Sequence, residues 1–117
     1  MIISRNSVPF TNPFDGLERR VLAYNDNIML VEHVMEKGSI FPEHSHPHDQ
    51  IGYLLKGRLR VLCDGQEYYL DEGDSFAVKG GVLHQVFALE DSVALDFFNP
   101  VREDYVEEVA RLRSSVG

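Results

Sequence analysis

The chain has 117 residues, 44% of them hydrophobic, and a formal net charge of -8. This length fits one domain with its own apolar core, so we expect a single domain over residues 1–117. The acidic balance argues against nucleic-acid binding, which needs a basic surface. No apolar run is long enough for a membrane span, and the N-terminus lacks the apolar run of a signal peptide. The single cysteine, Cys63, excludes an internal disulfide, and these features together predict a cytoplasmic protein.

The first part of the chain combines turn signals with two predicted strands. Residues 1–18 contain several prolines, asparagines and a glycine, which favour turns. Residues 19–24 and 28–35 are rich in apolar and β-branched residues and are predicted strands, separated by the turn sequence 25–27. A turn at 36–39 then leads into a histidine-rich segment.

The remaining chain continues as short strands and ends in one helix. Apolar or alternating residues predict the strands, and turn signals such as Asp64-Gly65 separate them. The predicted strands cover residues 51–55, 58–63, 67–70, 75–78, 82–89 and 92–98. Many short strands at intervals of about eight to twelve residues are typical of an all-β sandwich or barrel. Residues 102–113 have apolar residues at helical spacing, so we expect a C-terminal helix on the outside of the barrel.

The segment 44–50 contains three of the five histidines, at His44, His46 and His48. Imidazole is the commonest transition-metal ligand among side chains. In an extended segment the three would share one face, but the proline between the second and third restricts the backbone. We therefore expect two of them to converge and the third to be diverted. Together with the remote His84 they could form a metal site, and the alternative is a polar surface loop or core histidines bonded to the backbone.

The spacing of glycines and histidines resembles the two-part signature of the cupin superfamily. The first part is Gly38, His44, His46, Gln50 and Gly57, and the second is Gly73, Gly81 and His84. In that superfamily the first motif supplies two histidines and usually a glutamate, and the second supplies a further histidine. The resemblance covers about residues 28–98 and implies a cupin β-barrel, which is a double-stranded β-helix or jelly roll.

Three positions depart from the usual cupin pattern: Gln50 replaces glutamate, Lys79 replaces proline and Ala88 replaces asparagine. The last two are structural positions, and the expectation of a cupin fold does not depend on them. An amide oxygen is a neutral ligand, so a divalent metal held by three imidazoles and this amide would keep its full formal charge. We therefore expect an anionic substrate. Such a ligand set suits zinc, nickel, iron, cobalt or manganese.

The last predicted strand carries an acidic residue, Asp96, inside the apolar run 93–98. Burying a charge is costly unless it is paired or used. Arg102 stands at the start of the predicted helix, where the helix dipole favours an acid instead. Its guanidinium could therefore serve to bind a carboxylate. Asp96 is either a functional group as well or a partner in a structural ion pair, for which Arg102 is one candidate.

A closer resemblance, to the pectin-degradation (KdgF) group of small cupins, rests on two segments. Residues 44–50 match its HSHPHxQ segment, and residues 96–104 match its DxFxPxRED segment. Members of that group convert cyclic 4,5-unsaturated uronates to the linear keto form, which implies a metal-dependent enzyme acting on a small anionic sugar acid. The implied residues are His44, His46, Gln50 and His84 as metal ligands, Asp96 and Arg102 as catalytic groups, and Phe98 and Arg102 as substrate contacts, to which we add His48.

Two other functions are compatible with a small cupin. The first is a metal-dependent dioxygenase, and oxygen uptake would separate it from uronate ring opening, which consumes no oxygen. The second is a non-catalytic module that binds a sugar or carboxylate. Such modules often accompany a DNA-binding helical domain, for which this chain has no room. Because small cupins commonly pair, we also expect a homodimer that uses the strand 28–34 or the N-terminal segment.

Overall fold

Two antiparallel β-sheets and one C-terminal helix make up the structure. The computed structural model describes the backbone of residues 2–116 and the side chains of residues 2–113. A short 3-10 turn at Arg5–Ser7 precedes the strands. The elements are β1 Leu17–Tyr24, β2 Met29–Met35, β3 Ile40–His44, β4 Asp49–Lys56, β5 Arg58–Cys63, β6 Gln66–Asp71, β7 Ser75–Val78, β8 His84–Ala88, β9 Ser92–Asn99 and α1 Glu103–Val116.

The two sheets face each other across an apolar core. The five-stranded sheet has the order β1-β2-β9-β4-β7, and the four-stranded sheet has the order β3-β8-β5-β6. Leu17 and Leu54 from the first sheet are buried in one cluster with Leu59 and Val61 from the second. Full burial of a leucine side chain contributes about 1.5–3 kcal/mol relative to exposure, so these contacts stabilise the face-to-face arrangement. The all-β cupin fold expected from the sequence is confirmed.

Strand alternation also places polar residues on the inner face. The inward residues are Met29, Val31, His33 and Met35 of β2, and Ser92, Ala94, Asp96 and Phe98 of β9. Because β2 and β9 are paired neighbours, His33 and Asp96 come to lie side by side within the barrel. The inner face is therefore apolar at one end and polar near the middle of these two strands.

Helix α1 covers the inner face of the five-stranded sheet at one end of the barrel, so the expectation that it lies outside is wrong. Tyr105 and Val109 of the helix pack against Val21 and Met29, which point inward from β1 and β2. Among the residues that the structure describes, this cluster includes none from the four-stranded sheet. The apolar inner face here is therefore covered by the helix in place of a second sheet.

An ion pair holds α1 in this position. Arg19, on the inward face of β1, donates from Nε and Nη2 to the two carboxylate oxygens of Glu108, at 3.2 and 2.8 Å. Its Nη1 donates to Tyr105 Oη at 3.1 Å, and the guanidinium lies 4.0 Å from the centre of that ring. A bidentate pair of this kind fixes orientation as well as distance.

Strand boundaries agree with the sequence prediction to within one or two residues in most places. Strand β3 was not predicted from the sequence. It contains Pro42 and lies at the edge of the four-stranded sheet, where a proline is tolerated. Helix α1 begins one residue after Arg102, and the Asn99–Pro100 peptide bond that precedes it is cis. Within residues 2–116, no helix has the length and apolar character needed to cross a membrane.

Candidate metal centre

Strand pairing brings the two halves of the histidine pattern together. The Cα atoms of His44 on β3 and His84 on β8 are register partners, and their ring centres are 4.2 Å apart. His46 follows in the loop after β3, with its ring centre 5.0 Å from that of His84. One nitrogen from each ring lies within 4.8 Å of the others. Two nitrogens bound to one metal ion, each at about 2.0–2.1 Å, lie at most about 4.2 Å apart, so these three could hold one ion after small side-chain movements.

The hydrogen bonds of the three clustered histidines leave their Nε2 atoms available as ligands. In each ring, Nδ1 contacts a backbone carbonyl, and the distances are 2.7 Å for His44 to Pro42, 3.0 Å for His46 to His48, and 2.9 Å for His84 to Val82. A carbonyl can only accept, so Nδ1 carries the proton and Nε2 keeps its lone pair. The buried Nε2 of His84 has no hydrogen-bond partner among the described residues. Such outer contacts are the usual means of orienting histidines toward a metal.

Gln50 adds a fourth lone pair to this group. Its Oε1 lies 3.1 Å from His46 Nε2, and its amide nitrogen donates to Asp96 Oδ1 at 2.8 Å. With the His46 proton on Nδ1, neither Nε2 nor Oε1 has a hydrogen to donate to the other. Two facing lone pairs are stabilised when a cation lies between them, so the contact fits a shared metal ligand set.

Burial keeps these imidazoles neutral. It lowers the pKa of His44, His46 and His84 below the ordinary value, since an apolar environment disfavours the charged form. The positive charge of Arg102 lowers the pKa of each ring further. Metal ligation requires the neutral form, so the site binds a cation without first having to release protons from these rings. Three imidazoles and an amide fit a divalent transition metal.

His48 lies outside the cluster. It is not one of the three histidines whose ligand nitrogens lie within 4.8 Å of one another, and its backbone carbonyl contacts His46 Nδ1 at 3.0 Å. The expectation that two of the three neighbouring histidines converge and one is diverted is confirmed.

Glycines ahead of β8 position the loop that carries His46. The Gly81 N–H donates to the His46 carbonyl at 2.7 Å, and the Gly80 N–H donates to Asp49 Oδ1 at 2.9 Å. A Cβ on Gly80 would lie only 2.1 Å from the Pro47 carbonyl oxygen. The second motif thus acts through its backbone as well as through His84, because it sets the position of the first motif's loop.

Asp96 lies at the centre of a buried polar network beside the candidate ligands. Its Oδ1 accepts the bond from Gln50, and its Oδ2 is 2.7 Å from His33 Nδ1. The proposed structural partner Arg102 is not the one found, since Arg102 donates to Asp104 at 3.2 and 2.8 Å. His33 was missed by the sequence reasoning. Its only signal in the sequence is a titratable residue at an inward-facing position of β2, where the other inward-facing residues are apolar.

A cavity is lined by residues of the network, by His44 and His84 of the histidine cluster, and by Arg102. The volume accessible to water within it is about 30 Å³, and the cavity opens to solvent at its mouth. Arg102 lies on its wall, 3.9 Å from the centre of the Tyr105 ring and 5.1 Å from that of Phe98. The rest of the wall is apolar and includes Leu59 and Phe76. The cavity therefore combines a cationic group and candidate metal ligands with a largely apolar wall.

Residues 31–99 match the family model of the cupin domain. The chain belongs to the cupin family. This cupin is 33% identical to the pectin degradation protein KdgF of Dickeya dadantii over 103 residues. The aligned region covers 86% of this chain and 94% of the relative. It also resembles the structure of KdgF from Halomonas sp., with a TM-score of 0.85 and 30% identity over 90% of this chain and 97% of that one. An RmlC-like cupin from Shewanella frigidimarina gives a TM-score of 0.84 and 31% identity over 89% and 94%.

Proposed function

We propose that this cupin acts in pectin or alginate breakdown and converts a cyclic 4,5-unsaturated uronate to its linear keto form. The proposed metal ligands are His44, His46, Gln50 and His84. The observation that carries the proposal is the convergence of these four neutral donor groups beside a cavity that His44, Gln50 and His84 line together with Arg102. The similarity to KdgF proteins over most of the chain supports the substrate class.

The charge of the site suits an anionic sugar acid. When bound, a divalent metal in a neutral ligand set would supply an undiminished positive charge that polarises a substrate oxygen. Arg102 uses Nε and Nη2 on Asp104, and its Nη1 makes no hydrogen bond to the described residues. We assign this side of the guanidinium to the substrate carboxylate, which such donors bind well. Phe98 lies against the same guanidinium and limits the space available to the sugar ring.

The proposed reaction relocates a proton within the substrate. The C1 hydroxyl loses its proton, the bond from C1 to the ring oxygen breaks, and C4 gains a proton as C5 becomes a carbonyl carbon. The molecular formula is unchanged, so no oxidant or reductant is needed. A positioned acid–base group contributes about 10²–10⁴-fold to such a step. Asp96 lines the cavity, and we assign it to the residues that take part in this proton transfer.

We further propose a cytoplasmic homodimer, and we assign its contact to an apolar outer surface of the five-stranded sheet in place of the strand 28–34 or the N-terminal segment expected from the sequence. Ile51, Tyr53 and Leu55 of β4 are exposed, as is Phe97, which is the register partner of Ile51 on β9. Contiguous exposed apolar residues of this kind are typical of protein interfaces. Light scattering on Ile51→Lys and Phe97→Lys variants should report a monomer, and an unchanged mass would exclude this surface.

The test of the proposed reaction is loss of the unsaturated-uronate absorbance with metal-loaded protein, with and without chelator. We expect chelator-sensitive acceleration over the spontaneous reaction and no oxygen uptake, which separates the reaction from that of a dioxygenase. His84→Ala should lose the metal and the acceleration together. Asp96→Asn should lower turnover at least about 100-fold with unchanged metal content. No acceleration by a metal-loaded sample would refute the proposed reaction.

A further inference from the structure

His33 is a buried histidine beside the cavity, and none of the roles assigned above uses it. Its side chain points inward from β2, the residue is 4% exposed, and it lines the cavity wall. Its Nδ1 contacts Asp96 Oδ2 at 2.7 Å, and its buried Nε2 has no hydrogen-bond partner among residues 2–113. A buried polar atom without a partner is destabilising, because it has lost its hydrogen bonds to water and gained none in return. The cavity is the place where a ligand group could satisfy this atom.

The partners of Asp96 determine which atom of this pair can exchange a proton with a ligand. Both carboxylate oxygens of Asp96 are engaged, one by His33 and one by Gln50. Protonation of Asp96 would remove the negative charge that strengthens both of these contacts. When Asp96 accepts the Nδ1 proton of His33, the lone pair is left on Nε2. A carboxylate placed in this way holds the imidazole in one tautomer and stabilises the imidazolium when it forms.

We propose that Nε2 of His33 takes up and returns the proton of the reaction, with Asp96 as its positioning residue. This inference rests on the proposed uronate reaction. Nε2 accepts the proton of the C1 hydroxyl, the electrons of that bond form the C1 carbonyl, and the bond from C1 to the ring oxygen breaks. The enolate that results extends over C4, C5 and the former ring oxygen. Nε2–H then gives its proton to C4, C5 becomes a ketone, and His33 is neutral again.

The substitution His33→Asn separates proton transfer from positioning. An asparagine amide nitrogen occupies nearly the place of Nδ1, so it can still donate to Asp96, but the variant has no atom at the place of Nε2. We expect kcat to fall at least about 100-fold. Metal stoichiometry and thermal stability should stay near those of the wild type. Activity within about threefold of wild type would overturn the inference, since it would leave His33 with a positioning role only.

Deuterium incorporation gives a second readout that a purely structural role would not change. In D2O, a proton carrier held on one side of the substrate delivers deuterium to one of the two positions at C4. The wild type should therefore give one stereoisomer, and His33→Asn should give both through solvent. An active wild type that labels both positions equally would overturn the inference and leave the proposed function intact. A wild type without acceleration would overturn both.

Discussion

Replacing Gly80 by alanine tests whether the second motif positions the first motif's loop. The new Cβ would lie 2.1 Å from the Pro47 carbonyl oxygen, whereas real Cβ contacts below 3.0 Å essentially never occur. The contacting atom belongs to the backbone, so the loop itself must move by about 0.9 Å. His46 belongs to this loop, and its carbonyl accepts a hydrogen bond at 2.7 Å from the N–H of Gly81, the residue after Gly80. A movement of the loop therefore also moves the His46 ring.

The size of this movement determines the expected loss of metal affinity. Metal sites tolerate deviations of only about 0.2 Å in ligand distance. Losing an outer contact of a ligand typically lowers affinity about 10–100-fold, and we expect the Gly80→Ala variant to fall in this range. Overpacking should also lower the free energy of unfolding by about 1–3 kcal/mol.

Competition with a chromophoric chelator measures this affinity directly. The matched control is Gly73→Ala, which adds the same Cβ in open space at a backbone φ of +87°. That control should lose about 1–2 kcal/mol of stability from backbone strain and keep its metal affinity. A folded Gly80→Ala protein that binds metal as tightly as the wild type would refute the idea that this close contact sets the position of His46.

Two further predictions concern stability. Glu108→Gln weakens the ion pair with Arg19, whose side chain is 10% exposed, and should lower the free energy of unfolding in urea by about 2–3 kcal/mol. The same change at the exposed Glu67 should cost less than about 1 kcal/mol, and equal losses would contradict a special role for the buried pair. Because burial lowers the pKa of the three clustered histidines, the unfolded chain binds more protons than the native protein below about pH 6.5. The metal-free protein, prepared with a chelator, should therefore lose stability as pH falls through this value. A Tm that is higher at about pH 5.5 than at about pH 7.5 would contradict this.

The strands and the histidine cluster could be predicted because both are encoded by local patterns. Alternation gave β5 and β7 with their correct bounds, and turn signals separated most of the others. The two-part spacing identified His44, His46 and His84, which the pairing of β3 with β8 then brings together. The role of Gln50 as a ligand stays a prediction, supported by the direction of its amide.

The parts that could not be predicted depend on contacts between distant segments. The helical spacing of α1 shows that one face is buried, but it does not show which surface covers that face. A histidine in an apolar strand has the same local pattern whether it is a core residue or part of a site, so His33 gave no distinct signal. The role proposed for His33 depends on its contact with Asp96, which is 63 positions away in the sequence. The same carboxylate determines the orientation of the Gln50 amide, which no spacing rule contains.

The pairing of His44 with His84 has a consequence for the dynamics of the sheet. Strand β3 lies at a sheet edge, and its pairing with β8 shifts register between Phe41 and His44. An edge strand with an interrupted ladder opens more readily than a central one. A cation bound to both histidines would cross-link this edge to its neighbour, across 40 positions of the chain. Metal occupancy would then control local opening, and amide exchange in β3 would slow on metal binding while the far side of the barrel stays unchanged.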